Sequence, residues 1–340
     1  MRPENSHESA ASPFVGEVSG SGLSASELSA RDLSLGYGDR SIVENLSVDL
    51  PAGKVTIIVG ANACGKSTLL RGLARLLKPS TGAVHLDGTD IHKVPTRELA
   101  RKLGILPQTP TAPDGISVAD LVGRGRSPHQ GWFRQWTAAD DAAVAAALNV
   151  TGTAELANRS IDELSGGQRQ RVWIAMALAQ ETDVLLLDEP TTYLDLAHQV
   201  EVLDVVSELN ARRGITVAIV LHDLNLAARY ADHLIAMKHG DIVAQGAPAE
   251  VLTAELVQEV FGLESVVVPD PVVGTPMVVP VGRRAALLAD AAAQRLSISE
   301  PPAAEPLASG PLVFGPPVFG RPVAEPLAPE FSAVEEGVQA

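Results

Sequence analysis

Lys54-Val55-Thr56-Ile57-Ile58-Val59-Gly60-Ala61-Asn62-Ala63-Cys64-Gly65-Lys66-Ser67-Thr68 is the stretch on which the reading of this chain turns. Within its first six residues, Lys54 to Val59, all but Lys54 are β-branched and all but Lys54 and Thr56 are apolar, as in a buried strand. Leu69 to Leu77 then reads as a helix. Between them, Gly60-x-x-x-x-Gly65-Lys66-Ser67 has the spacing of a P-loop, in the strand, loop and helix setting that the pattern requires. Its glycines let the backbone curl until successive N–H groups converge on a phosphate. The helix that follows adds the partial positive charge of its N-terminus. Lys66 is placed to reach the β- and γ-phosphates of ATP, and the Ser67 hydroxyl to ligate Mg²⁺. Gly60, Ala61, Asn62, Ala63, Cys64, Gly65, Lys66, Ser67 and Thr68 are therefore the expected nucleotide cradle. A glycine turn that merely precedes a helix would share only part of this pattern.

Further along, Asp183-Val184-Leu185-Leu186-Leu187-Asp188-Glu189 is a short apolar run ending in two carboxylates. A parallel strand covered on both faces is continuously apolar, and ligand chemistry gathers at the carboxyl ends of such strands. Asp188 is thus placed to organise the metal, and Glu189 to accept a proton from an attacking water. A solvated acidic loop is the alternative for an isolated Asp-Glu pair, and the three preceding leucines argue against it.

Leu164-Ser165-Gly166-Gly167-Gln168 opens a segment in which Val172, Met176 and Ala179 recur at helical spacing. A helix entered through Ser-Gly-Gly offers a second anion site of hydroxyl and free N–H groups. One P-loop and one spare anion-binding helix end suggest two copies of the chain working head to tail. Three single residues complete the candidate site. Gln108 follows an apolar stretch and could touch the metal or its water. His222 ends the strand-like run Ile215 to Leu221, where an imidazole could contact the γ-phosphate. Tyr37, in a Gly-Tyr-Gly turn, could stack on adenine. Read alone, each has an ordinary alternative: a solvated glutamine, a structural histidine, an exposed tyrosine.

With these residues assembled, the chain resembles the nucleotide-binding subunit of an ABC importer, most closely the importers of ferric siderophores, haem and cobalamin. In the terms of that family, Tyr37 matches the aromatic loop, Gly60 to Thr68 the Walker A motif, and Gln108 the Q-loop. Leu164 to Gln168 match the signature motif, Val184 to Asp188 the Walker B strand, and Glu189 the catalytic base. Asp195 matches the D-loop and His222 the switch histidine. The resemblance implies an α/β P-loop NTPase fold with a mostly parallel core sheet, an antiparallel β subdomain and a helical subdomain. It also implies ATP hydrolysis coupled to transport, with Mg²⁺ held by Ser67, Asp188 and Gln108. The implied partners are a second copy, integral membrane permease subunits and, indirectly, a substrate-binding protein. Ala61 and Ala63 stand where many relatives have Pro and Gly; both keep small side chains beside the phosphates, so binding is expected to survive.

The narrower likeness to siderophore importers rests on Gly123 to Gln130, Thr192 to Gln199, Leu221 to Tyr230 and Pro269-Asp270-Pro271-Val272. These are similarities of wording for which the sequence offers no separate chemical reason. Cobalamin, haem or other metal importers and exporters share the same motor chemistry. A soluble ATPase of the same family acting on DNA or ribosomes would carry a long coiled coil or two motif sets. This chain has one set, and no heptads lie between Gln108 and Ser165.

Three regions are expected: a disordered extension over 1–28, the ATP-binding domain over 29–284, and a disordered Ala/Pro-rich tail over 285–340. Within the domain, a helical subdomain is expected over about 109–180, with Thr137-Ala138-Ala139-Asp140 as a helix start. The tail repeats Val-Phe-Gly at 313–315 and 318–320, which could also serve a docking partner. The net charge of −15, about half of it in the two ends, speaks against a nucleic-acid surface. The single cysteine excludes an internal disulfide and fits a reducing compartment. Cys64 lies beside a helix N-terminus, a setting in which thiols react more readily. Alkylation there is expected to block nucleotide binding, unless Cys64 is only a buried spacer. No apolar run reaches the roughly 18 residues of a membrane span, and the N-terminus lacks signal-peptide regions. A peripheral protein on the cytoplasmic face of the cell membrane is the resulting expectation.

Overall fold

The computed structural model describes residues 25–131, 136–192 and 194–282. β1 (Leu28–Tyr37) and β2 (Arg40–Leu50) form a long antiparallel hairpin. β3 (Val55–Gly60) leads through the glycine loop into α1 (Lys66–Leu73). β4 (Thr81–Leu86) and β5 (Thr89–Asp90) return to the hairpin and complete an antiparallel sheet in the order β2-β1-β4-β5. α2 (Thr96–Lys102) brings the chain to β6 (Leu103–Leu106). Then come α3 (Val118–Gly123), α4 (Ala138–Val150) and α5 (Gly166–Ala179). β7 (Val184–Asp188), α6 (Leu196–Arg213), β8 (Thr216–Val220), α7 (Leu224–Tyr230) and β9 (His233–Lys238) finish the core. β10 (Asp241–Gly246), α8 (Pro248–Val251) and α9 (Ala254–Phe261) follow, and β11 (Ser265–Pro269) pairs with β12 (Pro276–Pro280) as a separate hairpin.

The central sheet has the order β10-β9-β3-β8-β7-β6, parallel except for β10. β3, β7 and β8 are buried at every position, which explains their largely apolar sequences. Their side chains still alternate between two apolar layers. Ile57, Val59, Leu185, Leu187 and Ile219 face the cluster built with α3, α5 and α6. Ile58, Val184, Leu186, Ala218 and Val220 face the cluster shared with α1 and the antiparallel sheet. Cover on both faces leaves the carboxyl ends of the strands as the place for polar chemistry.

The helix expected over Leu69 to Leu77 ends earlier, at Leu73. Arg75 turns left-handed, with φ 60°, and its Nη1 donates to the carbonyls of Ile91 (2.8 Å) and Val94 (2.7 Å). Those tertiary bonds outweigh the local helix preference of the leucines. The expected helix start at Thr137 is a capping box with Asp140. Ser165 opens α5 through a second capping box, with Gln168.

The segments that resembled siderophore importers only in wording have physical roles here. Arg126 is buried and donates to Asp140, the Ala179 carbonyl and Glu181, tying a 3-10 turn to α4 and the end of α5. A side chain at Gly125 would collide with the Met176 carbonyl oxygen. Arg97 and Arg101 reach from α2 to the Pro128 carbonyl, at 3.0 and 2.8 Å. At the other end, Asn225 bonds the Val278 backbone in both directions and Arg229 pairs with Asp270 at 2.6 Å, docking α7 on the β11–β12 hairpin. Tyr230 donates to Asp204, and burial together with that bond pushes its phenol up to about 12.

Of the two ends expected to be disordered, only 25–28 falls among the described residues. There Ser26 Oγ and the Glu27 N–H donate to Asp87. The tail over 285–340, its Val-Phe-Gly repeat and Tyr193 lie outside them. No helix among the described residues is long and apolar enough to cross a membrane.

Candidate nucleotide site

β3 delivers the glycine loop to the edge of a cleft of about 540 Å³. Gly60 cannot carry a side chain, because a Cβ would collide with the Met237 carbonyl oxygen on β9. Gly65, with φ 107°, turns the chain into α1, where the Leu69 N–H donates to its carbonyl at 2.8 Å. Ala63 sits between them at φ 60°, a region that strains any residue with a Cβ. Lys66 is only 4% exposed, and its Nζ donates to the Gly60 and Ala61 carbonyls at 2.8 and 3.0 Å. The ammonium is therefore held across the loop by oxygens that draw no proton from it. Cys64 is buried and also lines the cleft.

Ser67 Oγ donates to Asp188 Oδ1 at 2.8 Å, so residues 121 positions apart in the chain meet where α1 begins and β7 ends. The other Asp188 oxygen, Oδ2, is buried without a partner. Burial raises the pKa of this carboxyl; the Ser67 bond opposes the rise and the charge of Glu189 reinforces it. A buried carboxylate oxygen without a donor, beside a hydroxyl, is a hard-oxygen set suited to Mg²⁺.

Glu189 leaves β7 with φ 54°, and this left-handed step turns its side chain into the cleft mouth, 10% exposed. Its Oε2 accepts from Gln108 Nε2 at 2.6 Å and from Thr192 Oγ1 at 3.2 Å. Its Oε1 faces His222 Nε2 at 2.7 Å. The ends of β6 and β8 thus bring Gln108 and His222 each within bonding distance of Glu189, at the end of β7. Such a carboxylate, next to a metal-suited pair and a lysine-lined loop, can accept a proton from a water attacking a phosphate.

Other expected site residues lie elsewhere. Tyr37 is 48% exposed at the tip of the β1–β2 hairpin, accepting from Arg71 Nη1 at 3.2 Å. Ser165 and Gln168 are engaged with each other at the start of α5, and neither Leu164, Gly166, Gly167 nor Asp195 lines the Lys66 cleft. Asp195 caps α6 and bonds His198 Nδ1 at 2.6 Å, which lowers its carboxyl below the usual range. Two cleft residues, and the role of one neighbour of Glu189 outside the lining, escaped the sequence reading. Arg40 and Ile42 reach the cleft from the hairpin, and only their nearness to Tyr37 could have suggested it. Thr192 entered the sequence reading only as the first residue of Thr192 to Gln199, with no chemical role attached; it bonds Glu189 three places away.

The family model for the ABC transporter matches residues 43–192. The ferric enterobactin transport ATP-binding protein FepC of Escherichia coli is 54% identical over 262 residues, covering 77% of this chain and 97% of FepC. The achromobactin transport ATP-binding protein CbrD of Dickeya dadantii is 57% identical over 256 residues, covering 75% of this chain and 95% of CbrD. Among solved structures, a metal-chelate type ABC transporter in an inward-facing conformation superposes with a TM-score of 0.66 at 30% identity. That match covers 76% of this chain and 99% of the other.

Proposed function

This chain belongs to the ABC transporter family as an ATP-binding subunit, and from that premise we propose that it hydrolyses ATP to power uptake of a ferric siderophore. The reading rests above all on one observation: Ser67 and Asp188 meet at 2.8 Å beside Lys66, where a nucleotide's phosphates would be held. The cargo class comes from the relatives, whose names include ferric enterobactin transport. The cargo itself would be bound by a permease and a substrate-binding protein, which this subunit serves from the cytoplasmic face of the membrane.

In the proposed cycle, two copies pack head to tail and enclose two ATP molecules. Each nucleotide lies between Lys66 of one copy and Ser165 to Gln168 of the other, whose helix end supplies N–H groups to the γ-phosphate. Mg²⁺, held by Ser67, Asp188 and Gln108, would neutralise charge on the β- and γ-phosphates. Glu189 takes the proton of the attacking water as its oxygen bonds to the γ-phosphorus and ADP departs. His222 steadies the γ-phosphate. Tyr37 packs against the base, and Asp195 lines the joint between copies. Gln108, at the root of the helical insert, passes the closing and reopening to the permease.

The test is ATPase activity of the chain, alone and with its permease, in wild type and Glu189→Gln. Loss of the carboxylate should slow hydrolysis by about 10²–10⁴ while leaving ATP binding intact. Activity that the permease fails to raise, or that DNA or ribosomes raise instead, would leave the ATPase standing and remove the transport role.

A further inference from the structure

We propose that Thr192 is a positioning residue for the hydrolytic step, its hydroxyl holding the Glu189 carboxylate in the direction from which it takes the proton of water. The inference rests on the reading of Glu189 as the base. It is carried by the way three donors share that carboxylate.

Gln108 and His222 come from other strands, and each has a second duty. Gln108 serves the metal or its water. The single Nε2 proton of His222 cannot bond Glu189 and a γ-phosphate oxygen at once. Both donors thus answer to the bound substrate and its metal, and both follow strands other than the one that leads to Glu189. Thr192, by contrast, rides on the loop that carries Glu189. Its N–H donates to the Glu189 carbonyl at 3.2 Å, and its Oγ1 donates to Oε2 at 3.2 Å. That loop is pinned on both sides. Gln170 Nε2, from α5, donates to the Pro190 carbonyl at 2.9 Å. Gln199 Nε2, from α6, donates to the Leu194 carbonyl at 3.1 Å.

The backbone of Glu189 is left-handed at φ 54°, so the direction of its side chain depends on local contacts rather than on an ordinary strand geometry. Thr192 supplies the contact that persists through turnover. A general base displaced by a fraction of an ångström loses much of its effect, since its rate advantage depends on geometry.

The experiment compares Thr192→Val, Thr192→Ser and Glu189→Gln in the full chain, reading kcat and KM for Mg-ATP separately. Valine keeps the shape and removes the donor, and should lower kcat about tenfold with KM within about twofold. Serine restores the donor and should recover kcat to within about twofold of wild type. Thr192→Ala reads the same loss if the valine variant fails to fold. A wild-type kcat in the valine or alanine variant, with Glu189→Gln inactive, overturns the role of Thr192 and leaves the base in place. A serine variant as slow as the valine one also overturns it, since the methyl group would then be what matters. Wild-type turnover in Glu189→Gln removes the base, and Thr192 with it.

Discussion

Arg126 donates to the Asp140 carboxylate at 3.0 Å, and both side chains are 6% exposed. The same guanidinium reaches the Ala179 carbonyl at 2.8 Å and Glu181 at 2.7 Å, so one side chain ties three segments together. Breaking a buried pair from one side strands the other charge. Arg126→Met should therefore destabilise the domain by about 3–5 kcal/mol, read as a lower urea midpoint. Arg126→Lys should not recover it, because a single ammonium cannot span acceptors set out for a planar fork. An unchanged midpoint in the methionine variant would mean that the tie is dispensable.

Acid should weaken the fold through the same pair. The Thr137 hydrogen bonds, and then Arg126, hold the Asp140 carboxyl below its ordinary 3.8. Arg229 does the same for Asp270. A carboxyl whose pKa is depressed on folding contributes stability that is fully present above its unfolded value. That contribution is lost as pH falls through the folded value. Stability should hold from neutral pH down to about 5 and fall below about 4. Asp140→Asn should start lower at pH 7 and lose less between about pH 5 and pH 3. Parallel curves for the variant and the wild type would show that Asp140 has no part in the acid transition.

Ala63 occupies a left-handed position, φ 60°, which costs a residue with a Cβ about 1–2 kcal/mol. Glycine removes that strain but loses about 0.5–1 kcal/mol through its freer unfolded chain. Ala63→Gly should thus stabilise the protein by about 0.5–1 kcal/mol, seen in chemical denaturation. A destabilised variant would show that the loop relieves the strain at Ala63 by some other route.

Much of the fold was legible because buried parallel strands write themselves as unbroken apolar runs. Val55–Gly60, Val184–Asp188 and Thr216–Val220 come close to such runs, interrupted only by Thr56, Thr216 and the closing Asp188. The meeting of Ser67 with Asp188 followed from the rule that chemistry collects at the ends of those strands. What stayed hidden depends on contacts that local sequence does not carry. The end of α1 is set by carbonyls of Ile91 and Val94, which Arg75 finds only after folding. The role of Gly125-Arg126 depends on Asp140 and Ala179, from two other elements. Thr192 joins the site because Glu189 takes a left-handed step, and nothing in Glu189-Pro190-Thr191-Thr192 announces one.

Lys66 tests the nucleotide cradle most directly. Its ammonium is nearly buried and spans the Gly60 and Ala61 carbonyls, so it both closes the loop and presents charge to the cleft. Charge-assisted bonds to phosphate oxygens are about twice as strong as neutral ones. Hydrogen bonds to charged groups are worth about 1.5–3 kcal/mol, which is about 10- to 100-fold in affinity. Lys66→Ala should weaken binding of a fluorescent ATP analogue by that factor. It should also loosen the loop, since two carbonyls would then face each other without a donor. Lys66→Arg should not restore affinity, because the larger planar group has no room where the lysine is 4% exposed. Affinity within about twofold of wild type in the alanine variant would remove Lys66 from the binding site and leave it only a structural clasp.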